Sequence, residues 1–242
     1  MLDYELFSNK GGRDVNEDCV LCAVKGNSSC FVLCDGLGGH GRGDEASSLV
    51  CNSMIDVFNN CSDPDDFMGT AFMDAQKRLI AAQIEKKVKN QMKTTAVALL
   101  CDSKNARIAH VGDSRLYVFN KKGGYIRTED HSVPQLLVKS GEIKESEIRN
   151  HPDRNRLMRA MGNEWDKPMY QEMKKLPLKK CNAFLLCSDG FWELIDESEM
   201  AETLNASSSA KEWVEKMAAI VAKNGEGRNM DNYSAIAVIN RA

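Results

Sequence analysis

Between Thr95 and Gly124 three apolar runs, Thr95–Cys101, Ala106–Val111 and Arg115–Phe119, follow one another with almost nothing between them. Lys104-Asn105 and Gly112-Asp113-Ser114 separate the runs, and Lys121-Lys122-Gly123-Gly124 closes the third. Connections this short cannot hold the crossover that parallel neighbours need, so the runs are expected to pair as an antiparallel meander. A purely parallel sheet is excluded by this stretch alone.

Cys19–Val24, Cys30–Cys34, Ala183–Cys187 and Ala235–Ile239 share the same short, β-branched and apolar character and read as further strands. Helical signals lie elsewhere. Asp63-Pro64-Asp65-Asp66 offers an N-cap, a proline at the first position and first-turn acids. It would open a helix to about Lys89, with Phe67, Ala71, Ala75, Leu79 and Ile84 along its apolar face. Ala46, Leu49, Val50, Met54 and Phe58 mark another helix from about Asp44 to Phe58. Ser209 with Glu212 resembles a capping box ahead of a Trp213, Met217, Ile220, Val221 stripe, which reads as core. Helices covering antiparallel sheets make the class α+β.

The 242 residues contain no long Pro/Gly/Ser linker and no shift in composition, which fits one domain, 1–242. A net charge of -3 argues against a surface that coats nucleic acid. Met1-Leu2-Asp3-Tyr4-Glu5 has no basic leader character, and no apolar run approaches the roughly 18 residues that cross a bilayer. The expected location is cytoplasmic, with no membrane partner. Nine cysteines, an odd number, then read as reduced thiols. Cys19, Cys22, Cys30 and Cys34 raise a zinc reading, but their apolar, strand-like flanks favour core.

Strands run into acidic turns at Asp35-Gly36 and Ser188-Asp189-Gly190, and Asp231-Asn232 stands just before the last strand. Carboxylates gathered at such ends repel one another and resist ionisation unless a cation neutralises them. Oxygen donors select hard divalent ions. The segment Asp35 to Gly43 is glycine-rich between a strand and a helix, yet it lacks the Gly-Lys-Ser/Thr ending of a P-loop. Its glycines are expected to let the backbone approach a metal, with the Gly36 carbonyl as a ligand. Arg13-Asp14-Val15-Asn16-Glu17-Asp18 adds an arginine fork and adjacent acids.

One ordered series connects these segments: Thr94-Thr95-Ala96-Val97, His110-Val111-Gly112-Asp113-Ser114-Arg115, Asp130-His131-Ser132, Asn155 through Gly162, Ser188-Asp189-Gly190 and Asp231-Asn232. It resembles the metal-dependent serine/threonine protein phosphatases of the type-2C (PPM) family, from about Ser8 to Ile239. Leu37 stands where some members carry a histidine, as in the bacterial-type branch, so no general acid is assigned.

The resemblance implies a four-layer α/β/β/α sandwich of two antiparallel sheets flanked by helices. It also implies two Mn²⁺ or Mg²⁺ ions bridged by Asp35, one held by Asp189 and Asp231, the other by Glu17 and the Gly36 carbonyl. Arg13 would bind the phosphate, Asp18 would stand behind the ligands, and Asp113 with Glu193 would form a third, weaker metal site. A hydroxide bridging the ions would attack phosphoserine or phosphothreonine in line, with no phosphoenzyme. Partners would be phosphoproteins and an opposing serine/threonine kinase, the enzyme itself a monomer.

A flap over about 141–163 would sit beside the site, its Arg149, Arg154, Arg156 and Arg159 reading either as contacts for an acidic phosphoprotein or as a solvated basic loop. His110 reads as a core residue, and His40 and His131 as donors behind the ligands. Two other readings compete. A pseudophosphatase binding module would be expected to have lost a metal carboxylate, and a haloacid-dehalogenase-type phosphatase would want an acid where Leu37 stands.

Overall fold

The structure is a computed structural model that describes residues 1–38, 41–61, 66–89 and 91–241. One sheet orders its strands β1 (Leu2–Asn9), β11 (Tyr233–Asn240), β10 (Cys181–Cys187), β6 (Arg115–Asn120) and β7 (Tyr125–Arg127). The other orders β2 (Asp18–Lys25), β3 (Ser28–Asp35), β4 (Ala96–Cys101), β5 (Asn105–Val111) and β8 (Gln171–Glu172), with β9 (Leu176–Pro177) also on β5. Every pairing is antiparallel.

The expected meander is corrected in one respect. β4 and β5 pair, with Leu99 opposite Ile108, but β6 leaves for the other sheet and pairs with β10 and β7. The Gly112-Asp113-Ser114 turn therefore joins two sheets. Gly112 sits at φ +101°, a conformation open to glycine, and a Cβ there would overlap Thr95.

Alternation along the strands builds the layers. Phe31, Leu33, Val97, Leu99, Leu116, Val118, Phe184 and Ile236 fill the core between the sheets. Cys30, Val32, Ala98 and Leu100 face outward against α1 (Gly43–Asn60) and α2 (Phe67–Glu85). Tyr117, Phe119, Leu185 and Ala235 face the other way, toward α4 (Asp189–Trp192), α5 (Glu197–Asn205) and α6 (Ala210–Asn224), and Val138 of α3 (Val133–Ser140) packs against the same cluster. The four-layer sandwich is thus present.

Phe67, Ala71, Ala75 and Leu79 are buried along α2 as expected, but Ile84 is 73% exposed, because five residues beyond Leu79 it has rotated off the stripe. The proposed cap at Asp63-Pro64-Asp65 lies outside the described residues. On α6 Trp213, Met217 and Val221 are buried and Ile220 partly so. Ser209 Oγ accepts from Glu212 N at 3.1 Å, while the Glu212 carboxylate accepts from Ser208 N rather than closing the box on Ser209. The cysteines are thiols; Cys19 faces Cys34, but Cys22 faces Phe31 across the β2–β3 ladder. Among the described residues, no helix is long and apolar enough to cross a membrane.

Candidate active site

Strand ends from both sheets open into one cleft of about 700 Å³. Asp35 ends β3, Glu17 precedes β2, Asp189 starts α4 directly after β10, and Asp231 precedes β11. These residues line the cleft with Arg13, Gly36 and Asp113, so the structure brings together most of the expected set. Asp18 lies behind, accepting from Ser188 Oγ at 2.9 Å through Oδ2, while its buried Oδ1 has no hydrogen-bond partner. Glu193 lines an adjoining cleft of about 260 Å³ that shares Arg13, Asn155, Asp189 and Asp231, and pairs with Arg154 at 3.0 Å.

Local bonds explain why the neighbours of these acids are what they are. Asp35 N donates to Thr95 Oγ1 at 3.0 Å, and the Asp35 carbonyl accepts from Thr94 Oγ1 at 2.7 Å and Thr95 N at 2.8 Å. Thr94-Thr95 is therefore the clamp on the Asp35 backbone. The loop glycines close on Glu17: a Cβ on Gly38 would overlap its carboxylate, and one on Gly36 would overlap Gly43. The Glu17 side chain thus leaves no room for a Cβ at Gly38, and the Gly43 backbone none at Gly36. Gly39 and His40 lie outside the described residues.

Asn232 is a residue whose role the sequence did not reveal. Its Oδ1 accepts from Glu17 N at 2.8 Å, and its Nδ2 donates to the carbonyls of Lys10 at 2.9 Å and Val15 at 3.0 Å. One amide thus ties the loop carrying Arg13 and Glu17 to the turn carrying Asp231. The available signal was an asparagine following an acid before a strand, since only Asn or Gln offers both a donor pair and an acceptor.

The electrostatics are dominated by unrelieved negative charge. Burial pushes the Asp35 and Asp113 carboxyls well above the usual range, with repulsion from Asp189 next in size. Asp189 is raised by burial and then by Asp231. Asp18 is pushed up to about 7 by burial, against the hydrogen bond from Ser188. Glu193 also rises to about 7, through burial and then Asp189, despite Arg154. Asp35 and Asp189 keep some exposed area while being densely surrounded; the density governs their charge, because the solvent they touch lies in a narrow cleft. Among the described residues, Arg13 to Asp231 at 3.0 Å is the one ion pair made to the cleft carboxylates. No three His, Cys, Asp or Glu side chains among those residues are close enough to enclose an ion as they stand.

His110 is fully buried, with Nε2 against the Glu129 carbonyl at 2.8 Å and its ring stacked on His131 at 4.5 Å. His131 Nδ1 accepts from Gly112 N at 3.2 Å, so it supports the turn carrying Asp113 rather than donating to a ligand. Over 141–163, Ile148 anchors in the core of the first sheet, and Thr94 forms a bridge with Met161. Buried Gln76 and Gln83 of α2 hold Gly162 at 2.9 Å each. Arg149 is not available to a substrate, because its side chain, 14% exposed, is engaged by Glu197 at 2.7 Å. Arg154 is held by Glu193, Arg156 lies 3.4 Å from Asp153, and Arg159 reaches the Met169 carbonyl.

The sequence model of protein phosphatase 2C matches residues 9–232. The chain belongs to the protein phosphatase 2C family. This 2C-family protein is 29% identical over 220 residues to the serine/threonine phosphatase stp of Listeria welshimeri, covering 88% of this chain and 85% of that one. The serine/threonine phosphatase Stp1 of Staphylococcus aureus superposes with a TM-score of 0.91 at 28% identity, over 100% of this chain and 96% of that structure. The catalytic domain of the serine/threonine protein phosphatase PstP, solved in complex with two manganese ions, superposes at 0.78 with 25% identity, over 98% and 97%.

Proposed function

We propose that this 2C-family phosphatase hydrolyses phosphoserine and phosphothreonine in proteins, using two divalent cations, Mn²⁺ or Mg²⁺, held by the cleft carboxylates. The observation that carries this reading is the set of raised, mutually repelling acids that the protein itself leaves without a cation. The donors fit such ions: all are oxygens, and the buried Oδ1 of Asp18 has no partner. The manganese-bound PstP relative supports the same reading.

Asp35, Asp189 and Asp231 would hold one ion, and Asp35, Glu17 and the Gly36 carbonyl the other, with Asp113 and Glu193 serving a third, weaker site. When bound, the ions supply a water ionised near neutral pH and positive charge against the phosphoryl oxygens. The remaining roles belong to the chain. Arg13 is about half exposed at the cleft and engages Asp231 through Nη2, which leaves guanidinium donors to orient a phosphoryl group. Asn232 and Thr95 fix the backbones of Glu17 and Asp35. No serine, threonine, cysteine or histidine lines the cleft among the described residues, which supports direct attack by water without a phosphoseryl or phosphocysteinyl enzyme. Substrates of this chemistry imply a serine/threonine kinase that phosphorylates the same sites.

The binding-module alternative gains no support, since each metal carboxylate it would be expected to lose is retained. The deciding experiment is phosphate release from a phosphothreonine peptide with Mn²⁺, then with excess chelator. Metal-dependent release is expected. No release from several peptides with either Mn²⁺ or Mg²⁺ would overturn the reading.

A further inference from the structure

Two lysines just past α2 have acidic partners: Lys86 pairs with Glu45, and Lys89 with Glu164 at 2.9 Å. Lys93 is different. It lines the active-site cleft and is only partly exposed, yet its ammonium has no carboxylate or hydrogen-bond partner among the described residues. Its backbone, by contrast, is fixed. The Lys93 carbonyl accepts from Leu37 N at 3.0 Å, and Thr94, the next residue, exchanges hydrogen bonds with Met161 while holding Asp35.

Arg13, the other cation lining this cleft, already has a partner in Asp231. Leu37, Leu157 and Ala160 contribute apolar surface to the same cleft. An ammonium in such a place gains more from an arriving anion than one in open water, because the local dielectric is lower. A lysine stem reaches several ångströms, and successive peptide residues advance about 3.3 Å, so the anion would lie within about three residues of the phosphoresidue.

We propose that Lys93 is a specificity-determining residue that binds a second anionic group of the phosphopeptide, an acidic side chain or a further phosphoryl group, beside the phosphoresidue being hydrolysed. The inference rests on the phosphatase reading above and deepens it by naming a substrate class, phosphopeptides with anionic flanks.

The test measures kcat/KM with Mn²⁺ on phosphothreonine peptides carrying Asp, Lys or a second phosphothreonine at each flanking position, for the wild-type chain and for Lys93→Glu and Lys93→Arg. The wild type is expected to prefer the anionic peptides by about tenfold, mainly through KM. Lys93→Glu is expected to invert that preference, and Lys93→Arg to keep it. Comparison of the Asp and diphosphorylated peptides identifies which anion is preferred. Wild-type turnover with a preference that no Lys93 variant alters would overturn the inference. An equal loss on all peptides would also overturn it, since Lys93 would then act on the transferred phosphoryl group. No turnover by the wild type on any peptide would instead overturn the phosphatase reading itself.

Discussion

Two buried charge clusters in this molecule are built on opposite principles. In one, Arg115 Nε and Nη2 donate to Asp130 at 2.9 and 2.7 Å, with both side chains at most 3% exposed. Arg127 adds a contact to Asp130, Tyr117 links Arg115 to Glu197, Arg149 closes on Glu197, and the Arg115 guanidinium lies 3.4 Å over the Trp192 ring. Every charge there has an internal partner. In the cleft, Asp35, Asp113 and Asp189 are surrounded by protein and have none of opposite sign within ion-pair distance among the described residues. Burial alone therefore does not define a functional charge. A buried ion that the fold pairs is scaffold, and a set it leaves unpaired is a binding site for an external cation. Trp192 joins the two, since its Nε1 donates to the Asp113 carbonyl at 3.0 Å.

The largest effect is expected from Asp189→Asn, which removes one of the carboxylates proposed to hold an ion. Its kcat/KM on a phosphothreonine peptide should fall by roughly four powers of ten, about 5 kcal/mol of transition-state stabilisation. Near-complete activity across a Mn²⁺ titration would break the comparison on the cleft side. Asp130→Asn tests the other side. It leaves Arg115 buried without its carboxylate and should cost about 4 kcal/mol of stability, read as a lowered midpoint in urea. Mn²⁺ should not rescue that loss.

Asn232→Ala comes next. The carbonyls of Lys10 and Val15 and the amide of Glu17 would lose their shared partner, so Glu17 would no longer be held in place. Mn²⁺ affinity should fall by about ten- to a hundredfold, and saturating Mn²⁺ should restore most of kcat. Loss of kcat that no Mn²⁺ concentration restores would show that Asn232 does more than position Glu17.

How much of this could be read in the chain follows from where the information lies. Asp35, Asp189 and Asp231 were legible because an acid at the end of an apolar strand has few structural uses. The layering was legible in part: the runs from Thr95 to Phe119 gave strands, but not the passage of β6 into the other sheet. That passage depends on Gly112 and on a hydrogen bond from its amide to His131, 19 residues away. β1 was missed because Leu2-Asp3-Tyr4-Glu5 alternates at half burial, and its pairing with β11 connects opposite ends of the chain. The role of Asn232 was hidden for the same reason, since its partners lie more than 200 residues earlier.

The smallest effect carries the sharpest sign. In chelator, carboxyls whose folded pKa is raised hold protons that the unfolded chain has released, so the folded state binds more protons and stability falls as pH rises. For Asp18 and Glu193 the window runs from about 4, where unfolded carboxyls titrate, to about 7. Asp35 and Asp113, also raised by burial and by Asp189, act in the same direction. The melting temperature of the metal-free chain should decline across that range, and Mn²⁺ should flatten the decline by replacing protons as the neutralising charge. Asp35→Asn removes the cost of holding a proton that the unfolded chain has released, so in chelator near neutral pH it should stabilise the fold by about 1 kcal/mol, roughly 3 °C in Tm. The same substitution type at Asp130 destabilises, because there the carboxylate answers a cation. If Asp35→Asn lowered Tm in chelator, the cleft acids would be paired in solution by groups of the protein itself, and the contrast between the two clusters would fail.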